Sequence, residues 1–356
     1  MTGIESIKSE PDPDWEALAW ARDSFPDRAD EMLDFTVEHI FPNLTMDRWV
    51  QTMVESIPEG KVTTFGNIAR ALGDIKASRA VGSVIASGRI RGPIHRVVYS
   101  DGKIPTGSER LLRTEIGEKE PQDMMVGFDL EDPPLASLGS IQIKTSRMVV
   151  LKWKRDVRSL MGADISSKKD LHVAAGSVHD LGEGSTNSIT TRGIMMFPYV
   201  SGYLFFREGP LLIKLISEAD GSGMIDDDTM IVLDGNGTLH PKRMGIATHL
   251  GAVLDRPTCG VCKRLMTGSV GKYAPFKNGI RFADVRDEND RIGLSVEKDG
   301  KRPFYLSPGH LCDARGLLDL ISPMINFRIP DPTRRAHILA NNRRREIEGG
   351  ITDQDG

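Results

Sequence analysis

The stretch TMIVLDGNGTLHP, Thr229 to Pro241, sets the reading of the whole chain. An apolar run of strand length, Met230 to Leu233, delivers Asp234 directly into a glycine-rich turn. The carboxylate therefore belongs at the carboxyl edge of a sheet, where α/β proteins collect their sites. Upstream, GYLFFREGPLLIKLI (202 to 216) places Glu208 between a strand-like run and Pro210, a residue suited to opening a helix, so Glu208 is expected at the same edge. In SLMGADIS (159 to 166), Asp164 ends a short apolar segment and offers a third carboxylate, with Asp170 and Asp180 as fallbacks. A single Asp after a strand is usually a turn or capping residue. Three acids converging on one edge repel one another unless a hard cation lies between them. Mg2+, with Mn2+ as a substitute, takes one or two carboxylates together with phosphate oxygens. Such a centre is equipped to hydrolyse a phosphodiester.

Around these acids the chain is organised in two parts. Residues 1 to 44 form an acidic extension with possible short helices at Trp15 to Arg22 and Ala29 to Ile40. From residue 45 to 116, compact helical segments alternate with turn signals at Pro58-Glu59-Gly60 and Gly73, which predicts a small helical domain. Residues 117 to 140 mix charge, Gly and the diprolyl Pro133-Pro134 and read as a linker. Residues 141 to 345 interleave strand-length runs, such as Phe304 to Leu306, with helical patterns such as Arg315 to Ile321. That alternation predicts an α/β domain, followed by a tail at 346 to 356.

The 356 residues carry a net charge of −4, so contact with nucleic acid depends on local basic patches rather than a global field. Such patches occur at Arg334-Arg335 and at Arg343 to Arg345. The three cysteines, Cys259, Cys262 and Cys312, are too few and too odd for a disulfide framework and fit a reducing, cytoplasmic setting. The CxxC at Cys259 and Cys262 lacks the second pair that a structural zinc site needs, which leaves core packing as the better reading. The start of the chain lacks a basic segment followed by an apolar core, and no apolar run reaches membrane-helix length. A soluble monomer without a leader is expected.

Several of these motifs, in order, resemble endonuclease V: FPYVSGYLFFREGPLL (197 to 212), VLDGNGTLHPKRMGIATHLG (232 to 251), PTCGVCK (257 to 263), YLSPGH (305 to 310) and RIPDPTRRAH (328 to 337). The resemblance implies a ribonuclease H-like fold in which Asp164, Asp234 and Glu208 hold the metal and His337 completes the catalytic set. It also implies that Lys263 lies near lesion and phosphate, and that Tyr199 is a wedge entering the duplex, loosened here by Ser201 where the family has proline. His240 and His249 lie in a motif that matches the family; His240 is counted with the substrate-binding residues, while each can equally be a buried, hydrogen-bonded histidine that orients the loop.

Trp49 to Gly102 resembles the DNA-binding and active-site domain of alkylguanine-DNA alkyltransferases. VTTFGNIARALG followed by KASRAVGSVIAS has the spacing of a helix-turn-helix, here of winged type by the resemblance, and Gly82 is expected to permit a close approach of helix or DNA. The resemblance makes Arg79 the arginine that replaces a flipped nucleotide, and it puts Phe65 where the family has a base-rotating tyrosine. In PIHRVV (93 to 98) the acceptor cysteine is replaced by Ile94, which has no nucleophilic atom, so alkyl transfer is not expected. His95 and Glu115 remain as hydrogen-bonding partners, and Ile94 becomes a lining residue of an alkylguanine pocket. Together these readings lead to an endonuclease acting on damaged DNA at deaminated bases, with other repair proteins as further partners. The alternatives they leave open are a non-catalytic sensor of alkylated guanine and a nuclease for inosine in RNA.

Overall fold

The computed structural model describes residues 44 to 153 and 156 to 350, so the helices expected between Trp15 and Ile40 lie outside the described residues. The chain divides into two compact units. Among the described residues, one comprises residues 44–141 and 196–203, and the other residues 142–195 and 204–350.

In the first unit, helix α1 (Asp47–Glu55) buries Trp49, Val50, Met53 and Val54. Strand β1 (Thr63–Thr64) leads into α2 (Phe65–Ala71), whose Thr64 hydroxyl accepts the Asn67 N–H and so caps the helix. Gly73, at φ +105°, lets the chain leave the helix and, past a short turn, enter α3 (Ser78–Ala86). Strand β2 (Val97–Val98) pairs parallel to β1, with Thr63 opposite Val97. Helix α4 (Glu109–Ile116) buries Leu112 and Ile116 against Val62 and Val98. The stretch read as a linker is not uniformly solvated. It contains a 3-10 turn at Pro121–Met124, and α5 (Pro134–Thr145) begins inside it with Leu135 and Leu138 fully buried. The diprolyl misleads because its second proline is the first residue of a helix, a position whose N–H has no partner within the helix.

The second unit is built on a ten-stranded sheet. Strands β3 (Ser159–Lys168), β4 (Leu171–Asp180) and β5 (Thr186–Gly193) form an antiparallel meander. Helix α6 (Leu204–Gly221) leads to β6 (Thr229–Asp234), which lies parallel to β3, and α7 (Ile246–Leu254) leads to β7 (Thr258–Cys262), parallel to β6. The short β8 (Ser269–Val270) and β9 (Ala274–Pro275) pair with β10 (Ile280–Asp287) at the far edge. Strands β10, β11 (Asp290–Lys298) and β12 (Phe304–His310) continue antiparallel, and β12 closes against β7. The sheet order is β5-β4-β3-β6-β7-β12-β11-β10-β8. The apolar run before Asp234 is buried from Thr229 to Leu233, as expected of an interior parallel strand covered on both faces.

Helix α8 (Ala314–Ile321) packs Leu317, Leu318 and Ile321 into the core with Val232, Val261 and Phe304. Helix α9 (Asp331–Glu348) crosses β3 and β4 and continues past residue 345, where a tail had been expected. A side chain at Gly162 on β3 would overlap the Pro332 carbonyl, so this glycine permits the close seat of the start of α9. Among the described residues no helix is long and apolar enough to cross a membrane.

Candidate active site

Register places the two aspartates. The parallel pairing that sets Ala163 opposite Leu233 brings Asp164 and Asp234, the next residue on each strand, side by side. Asp164 does not end its strand as expected. β3 runs on to Lys168 because its hairpin with β4 outlasts β6, and Asp164 marks where the parallel partner stops. The fallbacks are far from this point. Asp170 precedes β4 and Asp180 ends it, with Asp180 accepting the N–H groups of Gly182 and Glu183 in a turn.

His337 reaches the same point from α9. Its Nδ1 lies 2.6 Å from Asp164 Oδ2. The Asn341 amide lies 3.2 Å from His337 Nε2, and Asn341 Oδ1 accepts the Ser166 hydroxyl at 2.8 Å. Arg344 in turn donates to Ser166 from its Nε. The imidazole is thus held from both sides, and the hydrogen bond to Asp164 raises its pKa. Sequence reasoning missed Asn341, although its place one helical turn after His337 was the available signal.

Ligand atoms of Asp164, Asp234 and His337 all lie within 4.8 Å of one another, the spacing of a group able to hold one metal ion. That trio differs from the expected set of Asp164, Asp234 and Glu208. Glu208 is nevertheless a close electrostatic neighbour. Burial, and then the charges of Asp164 and Asp234, push its carboxyl up to about 8. Burial and Asp164 likewise raise Asp234, opposed by Lys263, whose Nζ stands 3.1 Å from Asp234 Oδ2. Two carboxyls raised above the usual range, beside a third, mark a place short of positive charge. The donor set of carboxylate oxygens and one imidazole therefore fits a hard divalent cation.

Glu208 arrives differently from the expectation. LFFREGPLL is helical from Leu204, with Pro210 inside α6 rather than at its start. The buried positions Phe205, Phe206, Gly209, Leu211, Leu212, Leu215, Ile216 and Ala219 gather on one side of a helix, a period that the proline obscured. His249 anchors this helix. Fully buried on α7, its ring stacks on Phe205 at 3.7 Å and meets Phe206 edge-on, and burial drives its pKa down to about 3. His240 is buried in the loop after Asp234, where its Nδ1 accepts the Lys242 N–H. That loop is closely packed. Side chains at Gly237 or Gly245 would overlap the backbone of Pro308 or Asn236.

The cysteines are all buried. Cys259 and Cys312 lie in the main core, while Cys262 Sγ bonds Asn236 Oδ1 at 2.9 Å. Tyr199 is 61% exposed, and its segment clusters with the first unit, where Phe197 packs on Trp49, rather than with the acidic group. The basic run of α9 is partly spent internally: Arg334 lies over the Phe327 ring, Arg343 pairs with Glu346, and Arg344 with Glu348.

The first unit carries its own cavity, of about 1170 Å³, lined by Phe65, Arg79, Gly82, Ile94 and Tyr99 among others. Ile94 is 39% exposed there, and Phe65 and Tyr99 meet ring to ring at 5.4 Å. Gly82 does not mediate close helix packing. A side chain there meets only the Phe65 ring at ordinary contact distance, so this residue faces the cavity. His95 Nε2 lies 2.8 Å from Glu115, and Arg96, which sequence reasoning passed over, forks onto both oxygens of that carboxylate at 2.8 Å.

Two family models match. Residues 143–338 match endonuclease V, and residues 45–119 match the DNA-binding domain of 6-O-methylguanine DNA methyltransferase. A bifunctional methyltransferase/endonuclease of Picrophilus torridus is 30% identical over 302 residues, covering 81% of this chain and 93% of that protein. The crystal structure of endonuclease V from Streptomyces avermitilis superimposes with a TM-score of 0.52 at 28% identity, over 60% of this chain and 94% of that one. Human endonuclease V gives a TM-score of 0.52 at 25% identity, over 60% of this chain and 99% of its own.

Proposed function

The chain belongs to the endonuclease V family, with an alkyltransferase-type DNA-binding domain ahead of the nuclease, and from that premise we propose a Mg2+-dependent repair endonuclease. It cuts a DNA strand on the 3′ side of deaminated bases, deoxyinosine foremost. The observation that carries this reading is the convergence of Asp164, Asp234 and His337 within 4.8 Å, with Glu208 against them.

In this proposal Asp164 and Asp234 hold the cation and Glu208 completes the acidic wall, while His337 stands at the edge. A divalent cation there supplies positive charge to the scissile phosphate and acidity to an attacking water. His337, fixed by Asp164 and Asn341 and raised in pKa, is the group able to pass a proton to the leaving oxygen. Lys263, already at Asp234, meets charge that develops on the phosphate.

The front domain serves as a reader. Position 94 offers no nucleophile, so an alkylated guanine accepted by the cavity is bound and not repaired, and tethering raises the concentration of DNA at the nuclease. The test uses labelled duplexes carrying inosine, O6-methylguanine or no lesion, incubated with the full chain and Mg2+. Nicking 3′ to inosine is expected; intact inosine DNA at high enzyme and metal would overturn the reading. If O6-methylguanine DNA is also cut, Arg79→Ala is expected to lower that activity alone. Equal loss on both lesions would show that the front domain adds only general affinity.

A further inference from the structure

Next to Asp234 lies a second recess that the acidic site does not use. It has a volume of about 420 Å³ and is lined by Lys263, Arg264, Arg302, Pro303, Tyr305 and Arg328. Four of these six side chains are cationic, and none is acidic. The sheet brings them together. Tyr305 of β12 pairs with Cys262 of β7, so Lys263 and Arg264, just beyond one strand, meet Arg302 and Pro303, just before the other.

Arg328 ties the two strand ends from a third segment, its terminal nitrogen donating to Pro303 O at 3.2 Å and reaching Lys263 O at 3.5 Å. The Arg328 Nε is buried and has no hydrogen-bond partner. Of the four cations of the recess, only Lys263 has a carboxylate partner among the described residues, Asp234. No ion pair engages Arg264, Arg302 or Arg328. Three uncompensated guanidinium groups around a cavity repel one another and are stabilised by an anion there. Guanidinium groups suit phosphate because their paired N–H donors match two of its oxygens.

We propose that this recess is a phosphodiester-binding cradle that holds a backbone phosphate of the bound strand beside the one at the acidic site. Lys263 belongs to both places, so a strand seated in the cradle is held in register with Asp234. This deepens the proposed nuclease reading and rests on it for the identity of the strand, yet its test does not require cleavage.

The measurement is the affinity of the full chain for an undamaged labelled duplex, by fluorescence anisotropy across a series of salt concentrations. It is made in an Asp234→Asn background so that no strand is cut. Adding Arg264→Ala and Arg302→Ala, both at exposed positions, is expected to weaken binding about tenfold at low salt and to reduce the slope of log Kd against log salt by about 1 for each phosphate no longer neutralised. Arg281→Ala, which removes one positive charge from β10 next to Glu297, is expected to leave the slope in place. An unchanged slope in the double variant would overturn the cradle, as would an equal drop with Arg281→Ala. Inorganic phosphate separates the two sources of the same chemistry. Millimolar phosphate that binds the background protein through Arg264 and Arg302 yet leaves duplex affinity and its salt slope unchanged would point to a free-phosphate site and overturn the strand assignment. If wild-type protein fails to nick inosine DNA, the lesion reading fails while this assay still reports on the cradle.

Discussion

The two halves of the chain keep opposite parts of a chemical site. In the front unit the supports are in place: His95, Arg96 and Glu115 are joined by hydrogen bonds of 2.8 Å, yet the position they flank is Ile94, without a reactive atom. In the rear unit the groups proposed to react converge. Ligand atoms of Asp164, Asp234 and His337 lie within 4.8 Å, and burial, then the charges of the two aspartates, drive the neighbouring Glu208 carboxyl up to about 8. A pocket without its nucleophile can still recognise, because recognition rests on shape and stacking. A cluster of half-buried acids is suited to hold a cation, because their mutual repulsion is otherwise offset only by Lys263 at Asp234.

The sharpest way to break this contrast is Asp234→Ala, which is expected to lower the rate of nicking by on the order of 10³-fold or more, about 4 kcal/mol of barrier. Retention of a tenth of wild-type activity in single-turnover assays would show that the acids are not the working groups.

Next in size is Gly162→Ala. The added methyl overlaps the Pro332 carbonyl and displaces the base of the helix that carries His337. A tenfold to hundredfold loss of kcat is expected, of the order that follows from misplacing a catalytic group by roughly 1 Å. A loss of about 1–3 kcal/mol in stability accompanies it. Unchanged kcat would mean that His337 does not depend on that seat.

Ile94→Cys tests the front half from the other side. With the supports intact, a thiol there is expected to gain slow transfer from O6-methylguanine DNA, at most one methyl per chain, the C–S bond forming as the bond to O6 breaks. Mass spectrometry of the intact protein reads it. No transfer, even with Phe65→Tyr added, would show that the cavity as well as the nucleophile has changed.

The smallest effect is acid sensitivity. Glu115 is lowered from 4.5 to about 2, chiefly by its hydrogen bonds from Arg96, so its contribution to stability is present above pH 4.5 and is lost as the pH falls towards 2. After discounting for solvent screening this is about 1–2 kcal/mol. In urea unfolding at pH 6 and pH 3.5, Glu115→Gln is expected to narrow the difference between the two. An unaltered difference would remove Glu115 from the account.

Much of this architecture was legible in the chain itself. The run Met230 to Leu233, apolar on consecutive residues, could be buried only as an interior strand, and Asp234 had to follow it. The division into a helical front and an α/β rear followed from turn signals and periodicity, and the loss at Ile94 from the resemblance that marks the acceptor position together with the chemistry of isoleucine, which carries no nucleophile. The errors also have local causes. Pro210 hid a helical period that extends on both sides of it, and Pro133-Pro134 read as a break where the second proline begins a helix.

What the sequence by itself determined is which residues have chemistry to offer: the acids, the imidazole, the cations, and the absence of a thiol at position 94. Only the tertiary structure decided which of them meet. The pairing of β3 with β6 makes neighbours of Asp164 and Asp234, 70 residues apart. A glycine on β3 seats α9 so that His337, 173 residues from Asp164, joins that carboxylate rather than solvent. The strand ends at Lys263 and Arg302 gather cations from three separate segments. Such encounters depend on register and helix seating, which arise from packing between distant segments and leave no periodic trace in either one.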